Sequence, residues 1–135
     1  MEIWKDIKGY EGVYQISTLG RIKGLSRKVL SKKRKTGNNE RTISEYIRTP
    51  ETTKMGYQRI TLSLSGNNIR FFVHRLVCIE FIPNPDNKPC VNHKNGIKCD
   101  NNIQNLEWVT YSENERHSYN VLKKNAKKKQ LVNKI

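Results

Sequence analysis

The sequence predicts an α+β chain: an N-terminal antiparallel sheet, a supporting helix, and a strand–loop–strand–helix unit that carries the chemistry. Three patterns predict it. Up to residue 72, apolar and polar residues alternate in short runs broken by glycine-bearing turns. Residues 74–82 are apolar nearly all round, with Val73, Leu76, Val77 and Phe81 at helical spacing, and Pro83 and Pro85 stop them. Beyond residue 90, two strand-like runs flank a polar loop and lead into a helix signal. The chain therefore divides into a β-rich region (residues 1–72), a chemical module (73–120) and a basic tail (121–135).

In the first region, Gly9 and Gly12 punctuate residues 4–14, and Val13-Tyr14-Gln15-Ile16 alternates like a strand. Leu19-Gly20 is a turn into Arg21-Ile22-Lys23. Thr36-Gly37-Asn38-Asn39-Glu40 reads as a mobile polar loop. Ile60, Leu62 and Leu64 share one face of a strand, opposite Arg59, Thr61 and Ser63. Gly66-Asn67-Asn68 then turns the chain into a second strand over residues 69–73, making a hairpin with one buried face.

In the helix, His74 reads as a histidine satisfied by packing. Arg75 either reaches a phosphate or buttresses the core. Cys90-Val91-Asn92-His93 is a short strand running into Lys94-Asn95-Gly96, and Asn101 and Asn102 read as turn formers. Residues 106–110 form a strand with Trp108 in the core. Ser112 followed by Glu115 is a capping box, so the last helix is expected from about Glu113, with Asn114 and His117 on one face. That order lets His93, Asn92 and Asn114 converge. Hydrolysis of a phosphodiester needs a base to activate water and a cation to neutralise the phosphate. Imidazole titrates near neutrality and suits the first task, while oxygen donors suit a hard cation such as magnesium.

Charge points the same way. Lys and Arg outnumber Asp and Glu by 26 to 12, a net charge of +14, which concentrates polyanions around the chain. Within residues 21–35, Arg21, Lys23, Arg27, Lys28, Lys32, Lys33, Arg34 and Lys35 face no acid, a pattern suited to DNA phosphates. Six lysines in the tail either touch phosphates or merely solubilise it. No apolar run approaches the roughly 20 residues of a spanning helix, and no signal-peptide pattern follows Met1. Three cysteines without a C-x-x-C pair fit a reducing cytoplasm better than secretion.

Asn92-His93-Lys94-Asn95-Gly96, the Asn101-Asn102 pair, and Asn105-Leu106-Glu107-Trp108-Val109-Thr110 followed by Asn114 resemble phage HNH homing endonucleases with a ββα-metal core. Trp4-Lys5-Asp6-Ile7-Lys8-Gly9-Tyr10-Glu11-Gly12 and Tyr14-Gln15-Ile16-Ser17 resemble the NUMOD4-like module that precedes such cores, and Val73-His74-Arg75-Leu76-Val77 is similar to the family's supporting helix. The resemblance spans nearly all of residues 2–120, apart from an apparent insertion at about 31–52. It implies a nuclease of double-stranded DNA using Mg²⁺ or Mn²⁺, leaving a 3′-hydroxyl and a 5′-phosphate, in the host-cell cytoplasm if phage-encoded. It further implies His93 as general base, Asn105 as the asparagine pinning the loop, Asn92 and Asn114 as metal ligands, and His117 in a supporting phosphate role.

Two departures stand out. The family commonly carries an aspartate where this chain has Asn92, so both ligands are neutral amides and the competing reading is a degenerate HNH protein that binds DNA without cutting it. An RNA-binding accessory protein is a further rival, resting on charge alone. The paired C-x-x-C motifs of a structural zinc are missing, and Cys90, His93 and Cys99 do not have a usual zinc spacing, so no structural zinc is expected. One base and one ligand pair, with no heptad seam, point to a monomer that nicks one strand. DNA affinity should fall steeply with salt, and deleting residues 121–135 should make the dependence of log affinity on log salt shallower; equal slopes would show that the tail does not touch phosphate.

Overall fold

A computed structural model describes residues 1–30 and 40–118. Lys32, Lys33, Arg34, Lys35, most of the expected polar loop and the 121–135 tail lie outside the described residues. The expected α+β architecture is present. β1 (Trp4–Asp6), β2 (Tyr14–Ser17), β3 (Ile22–Gly24) and β6 (Tyr46–Arg48) form an antiparallel sheet in the order β1-β2-β3-β6. β4 (Arg27–Leu30) and β5 (Glu40–Ile43) make a separate hairpin, and β7 (Glu51–Thr52), β8 (Gln58–Leu64) and β9 (Asn67–Phe72) a three-stranded sheet. The described part of the segment expected to be an insertion thus contributes three strands, of which β6 closes the edge of the first sheet. Among the described residues no helix is long and apolar enough to cross a membrane.

The β8–β9 hairpin turns at Ser65 and Gly66, both at positive φ (51° and 81°), one residue earlier than the sequence indicates. Two residues of left-handed backbone match the twist of the paired strands. Ile60 and Leu62 are buried, as the alternation requires, and meet α1 (Val73–Phe81). That helix buries Val73, His74, Leu76, Val77 and Cys78 but leaves Ile79 exposed, so it is covered on one face rather than all round.

A single apolar cluster joins the two halves of the chain. Ile7, Tyr14, Ile16 and Ile22 from the first sheet meet Ile60 and Leu62, the helix residues, and Leu106 from β11 (Leu106–Val109). Trp108 packs against this cluster and donates Nε1 to the carbonyl of Ile82, satisfying the one polar atom of its indole (3.0 Å). β11 pairs antiparallel with β10 (Cys90–His93), setting Asn92 opposite Glu107 and His93 opposite Leu106. The last helix, α2, starts at residue 111 and is described through residue 118.

The first sheet also touches the loop between β10 and β11. Ile103 donates its N–H to the carbonyl of Thr18 (2.9 Å). Next to it, Gly20 (φ +81°) lies so near Asn101 that a Cβ there would fall 2.6 Å from the Asn101 Cβ and 2.9 Å from its carbonyl oxygen. Neither the conformation nor the space admits a side chain. Gly20→Ala should cost roughly 1–3 kcal/mol for the backbone conformation alone, with the collision added; a urea midpoint unchanged from the native protein would contradict this packing.

Candidate active site

The loop between β10 and β11 is held by its own asparagines. Asn105, buried at its end, accepts from the Asn95 N–H through Oδ1 (3.0 Å) and donates Nδ2 to the Asp100 carbonyl (2.8 Å). Its carbonyl accepts from the Lys94 N–H (2.8 Å), so the residue after His93 is tied to the residue before β11. Asn102 caps the short 3₁₀ turn Ile103–Asn105 by accepting from the Gln104 N–H (3.0 Å). α2 opens on Thr110, whose Oγ1 accepts from the Glu113 N–H (3.2 Å). The cap is therefore Thr110 and not Ser112, and the helix begins ahead of the expected Glu113. This start puts Asn114 in the first turn, its N–H bonded to the Thr110 carbonyl (3.0 Å).

His93 is buried, and its Nε2 lies 2.9 Å from Asn101 Oδ1. Asn101 is buried too and donates Nδ2 to Gln58 Oε1 on β8 (3.1 Å). With the Asn101 amide nitrogen donating to Gln58, its oxygen faces the imidazole, and in that arrangement Nε2 carries the proton and Nδ1 keeps its lone pair. Burial holds the pKa of His93 below the ordinary histidine value; the Asn101 bond and the Asp100 charge oppose that shift, while Lys98 adds to it. The neutral, proton-accepting form is favoured.

Asn101 reads from sequence as a turn former and turns out to be the residue that orients His93. His74 also takes on more than the expected packing role. Its ring stands edge-on to His93 with centroids 5.0 Å apart, stacks on Phe72 and lies 5.4 Å from Tyr57. Among the described residues its buried Nδ1 has no hydrogen-bond partner, and burial, reinforced by His93 and Arg75, brings its pKa down to about 4. A neutral, flat, uncharged wall therefore backs His93.

A pocket of about 210 Å³ opens over these residues, lined by Tyr57, Asn92, His93, Lys98, Asn114 and His117 among others. Two separate stretches of chain, β10 and the first turn of α2, thus bring the expected base and both expected ligands to one cavity. Asn92 donates Nδ2 to Glu107 Oε1 (2.9 Å), and among the described residues its Oδ1 accepts no hydrogen bond. His117 Nε2 donates to the Lys94 carbonyl (3.0 Å). Lys98, missed in the sequence, is steadied by the Met55 carbonyl (2.9 Å) and by the Tyr57 face (4.8 Å). No group of three His, Cys, Asp or Glu among the described residues could hold a metal ion. Two amide oxygens at one pocket still fit a hard dication that completes its shell with water and phosphate oxygens.

The remaining expected residues lie elsewhere. Arg75 donates to the Pro89 carbonyl (3.0 Å) and covers the Trp108 ring, away from the pocket lining. In the basic segment, Arg21 pairs with Glu2 and lies over Trp4, and Lys23 pairs with Glu45 (2.9 Å) and also covers Trp4. Arg27 lies over Tyr14, and Lys28 is exposed on β4. Among the described residues of the run, Arg21, Lys23 and Arg27 are thus engaged with partners on or beside the first sheet.

Comparison with known proteins bears on the whole chain. Residues 2–63 match the NUMOD4 motif and residues 71–116 match the HNH endonuclease family. A solved structure described as DNA binding and cleavage by the HNH homing endonuclease I-HmuI superposes with a TM-score of 0.70 at 35% identity, covering 98% of this chain and 67% of that one. The chain belongs to the HNH endonuclease family. Among relatives of this family, the DNA endonuclease I-HmuI of Bacillus phage SP01 is 37% identical over 132 residues, 98% of this chain and 66% of its own length. The uncharacterized HNH endonuclease L247 of Acanthamoeba polyphaga mimivirus is 38% identical over 122 residues, 87% of this chain and 26% of its own. This HNH chain therefore spans about two thirds of the phage relative and about a quarter of the viral one.

The buried His74 has a thermodynamic consequence. Its folded pKa lies below the unfolded value near 6.5, so its contribution is complete above that value and is lost as pH falls towards 4. The loss is roughly 3 kcal/mol at full protonation. His93, shifted the same way, adds to it. His74→Phe keeps the ring and removes the titration, so its melting temperature should drop less between pH 7 and pH 4 than that of the native chain. Equal drops would place the acid sensitivity elsewhere.

Proposed function

We propose that this HNH chain hydrolyses a phosphodiester bond of double-stranded DNA with His93 as general base. The observation that carries the reading is the His93–Asn101–Gln58 relay, which leaves Nδ1 of a neutral imidazole free to accept a proton in a pocket shared with Asn92 and Asn114. Water attacks phosphorus and gives its proton to Nδ1; the P–O3′ bond breaks and the leaving oxygen takes up a proton from solvent, giving a 3′-hydroxyl and a 5′-phosphate. Asn105 holds the loop so that His93 does not drift, and His117 anchors the start of that loop through the Lys94 carbonyl. Asn92 and Asn114 would hold a divalent cation, Mg²⁺ or Mn²⁺, whose charge offsets that building on the phosphate and the leaving oxygen.

Support for DNA as the substrate comes from the net charge of +14 and from the phage relative, which is named a DNA endonuclease. The chain has one base and one ligand pair, while the strands of a duplex run antiparallel, so a monomer docked once addresses one strand. The neutral Asn92 sustains the reading of a chain that binds DNA without cutting it.

A supercoiled plasmid carrying a target, incubated with Mg²⁺ or Mn²⁺, should accumulate open circles well before linear product. His93→Ala should slow that step by roughly two to four orders of magnitude while DNA affinity holds. Near-native cutting by the variant would remove His93 from the mechanism, linear product without a nicked stage would require a dimer, and retained binding with no cutting by the native chain would favour the binding-only reading.

A further inference from the structure

Asn92 raises a problem of orientation. An asparagine side chain has a donor end and an acceptor end of nearly the same shape, and only the oxygen can face a cation. Asn92 is 6% exposed, on the strand that lines the active-site pocket. Directly across the ladder is Glu107, which lines a different groove beside Trp108 and Lys88. Its Oε1 lies 2.9 Å from Asn92 Nδ2. A carboxylate only accepts hydrogen bonds, so the reverse amide orientation would set oxygen against oxygen. Only one orientation is therefore compatible with this neighbour, and it leaves Oδ1 clear of Glu107.

We propose that Glu107 is a positioning residue for the cation site, holding the Asn92 amide so that Oδ1 is presented to the pocket. The proposal rests on Asn92 being a cation ligand, as read above. It gives the neutral ligand a physical basis: the negative charge sits one residue behind the ligand, across the strand pair, and polarises the amide through the hydrogen bond instead of touching the ion. Exchanging the two chemistries should preserve the arrangement. In Asn92→Asp/Glu107→Gln the carboxylate presents an oxygen whichever way it turns, and the new amide donates where Glu107 accepted.

The test is Mn²⁺ titration of the full chain followed by the paramagnetic resonance of the free ion, with melting of the metal-free protein beside it. Glu107→Ala should weaken Mn²⁺ binding by roughly 10–100-fold, the usual range for a residue that orients a ligand, and lower kcat while KM for DNA holds. Asn92→Asp alone should melt lower than the native chain, because two carboxylates then face each other. The exchanged pair should recover the melting temperature and bind Mn²⁺ at least as tightly as the native chain. Native Mn²⁺ affinity in Glu107→Ala, or a folded exchanged pair that has lost Mn²⁺, would overturn the proposal. Asn92→Ala in the same series separates the two readings: if it alone loses Mn²⁺, only the positioning role fails, and if it too binds normally, the ligand reading falls with it.

Discussion

His93 keeps its tautomer only while Asn101 turns an amide oxygen towards it, and Asn101 does so only because other segments hold it there. Gln58 on β8 takes its amide nitrogen, Gly20 in the turn between β2 and β3 meets its backbone, and Asn105 closes the loop around it through the Asp100 carbonyl. Loosening any of these frees the Asn101 amide to rotate and the imidazole to exchange its proton between nitrogens. Apart from Lys98, the groups named at the site are neutral, and their orientation, more than their charge, decides what they do.

That dependence explains the arrangement of the two matched motifs. The NUMOD4 portion is not an independent appendage to the HNH portion, because both contribute to one apolar cluster and both touch the loop that orients His93. Thr18, Gly20 and Gln58 come from the first portion, His93, Asn101 and Ile103 from the second. Burial of His74 and His93 follows from the same packing, and with it the preference for neutral imidazoles. The desolvation that keeps these imidazoles neutral also makes the fold sensitive to acid, so both follow from one cause.

The basic surface shows a similar division between residue type and context. Arg21, Lys23 and Arg27 belong to a run with no acid in it, yet Glu2 and Glu45 reach two of them from distant positions and Trp4 and Tyr14 cover all three. A run of charge counts only the residues within it; partners from elsewhere in the chain decide how much of it faces an incoming phosphate.

What the sequence determined by itself was whatever depends on local periodicity and short spacing. The alternation of Ile60 and Leu62, the helix ended by Pro83, the two strands that flank the polar loop and the convergence of Asn92, His93 and Asn114 were all legible, because strand and helix periods place side chains on faces before any tertiary contact forms. The cap of α2 was misplaced by two residues, since Thr110-x-x-Glu113 and Ser112-x-x-Glu115 are equally good local signals and only the approach of β11 selects between them. Strands β5 to β7 were passed over because short polar strands carry little periodicity. The orienting role of Asn101, the contact of His74 with His93, and the bond from Asn92 to Glu107 were decided by tertiary structure alone. Each joins residues whose meeting depends on how a loop folds back or which register two strands adopt, and an amide written in a sequence has no direction until a neighbour takes one of its ends.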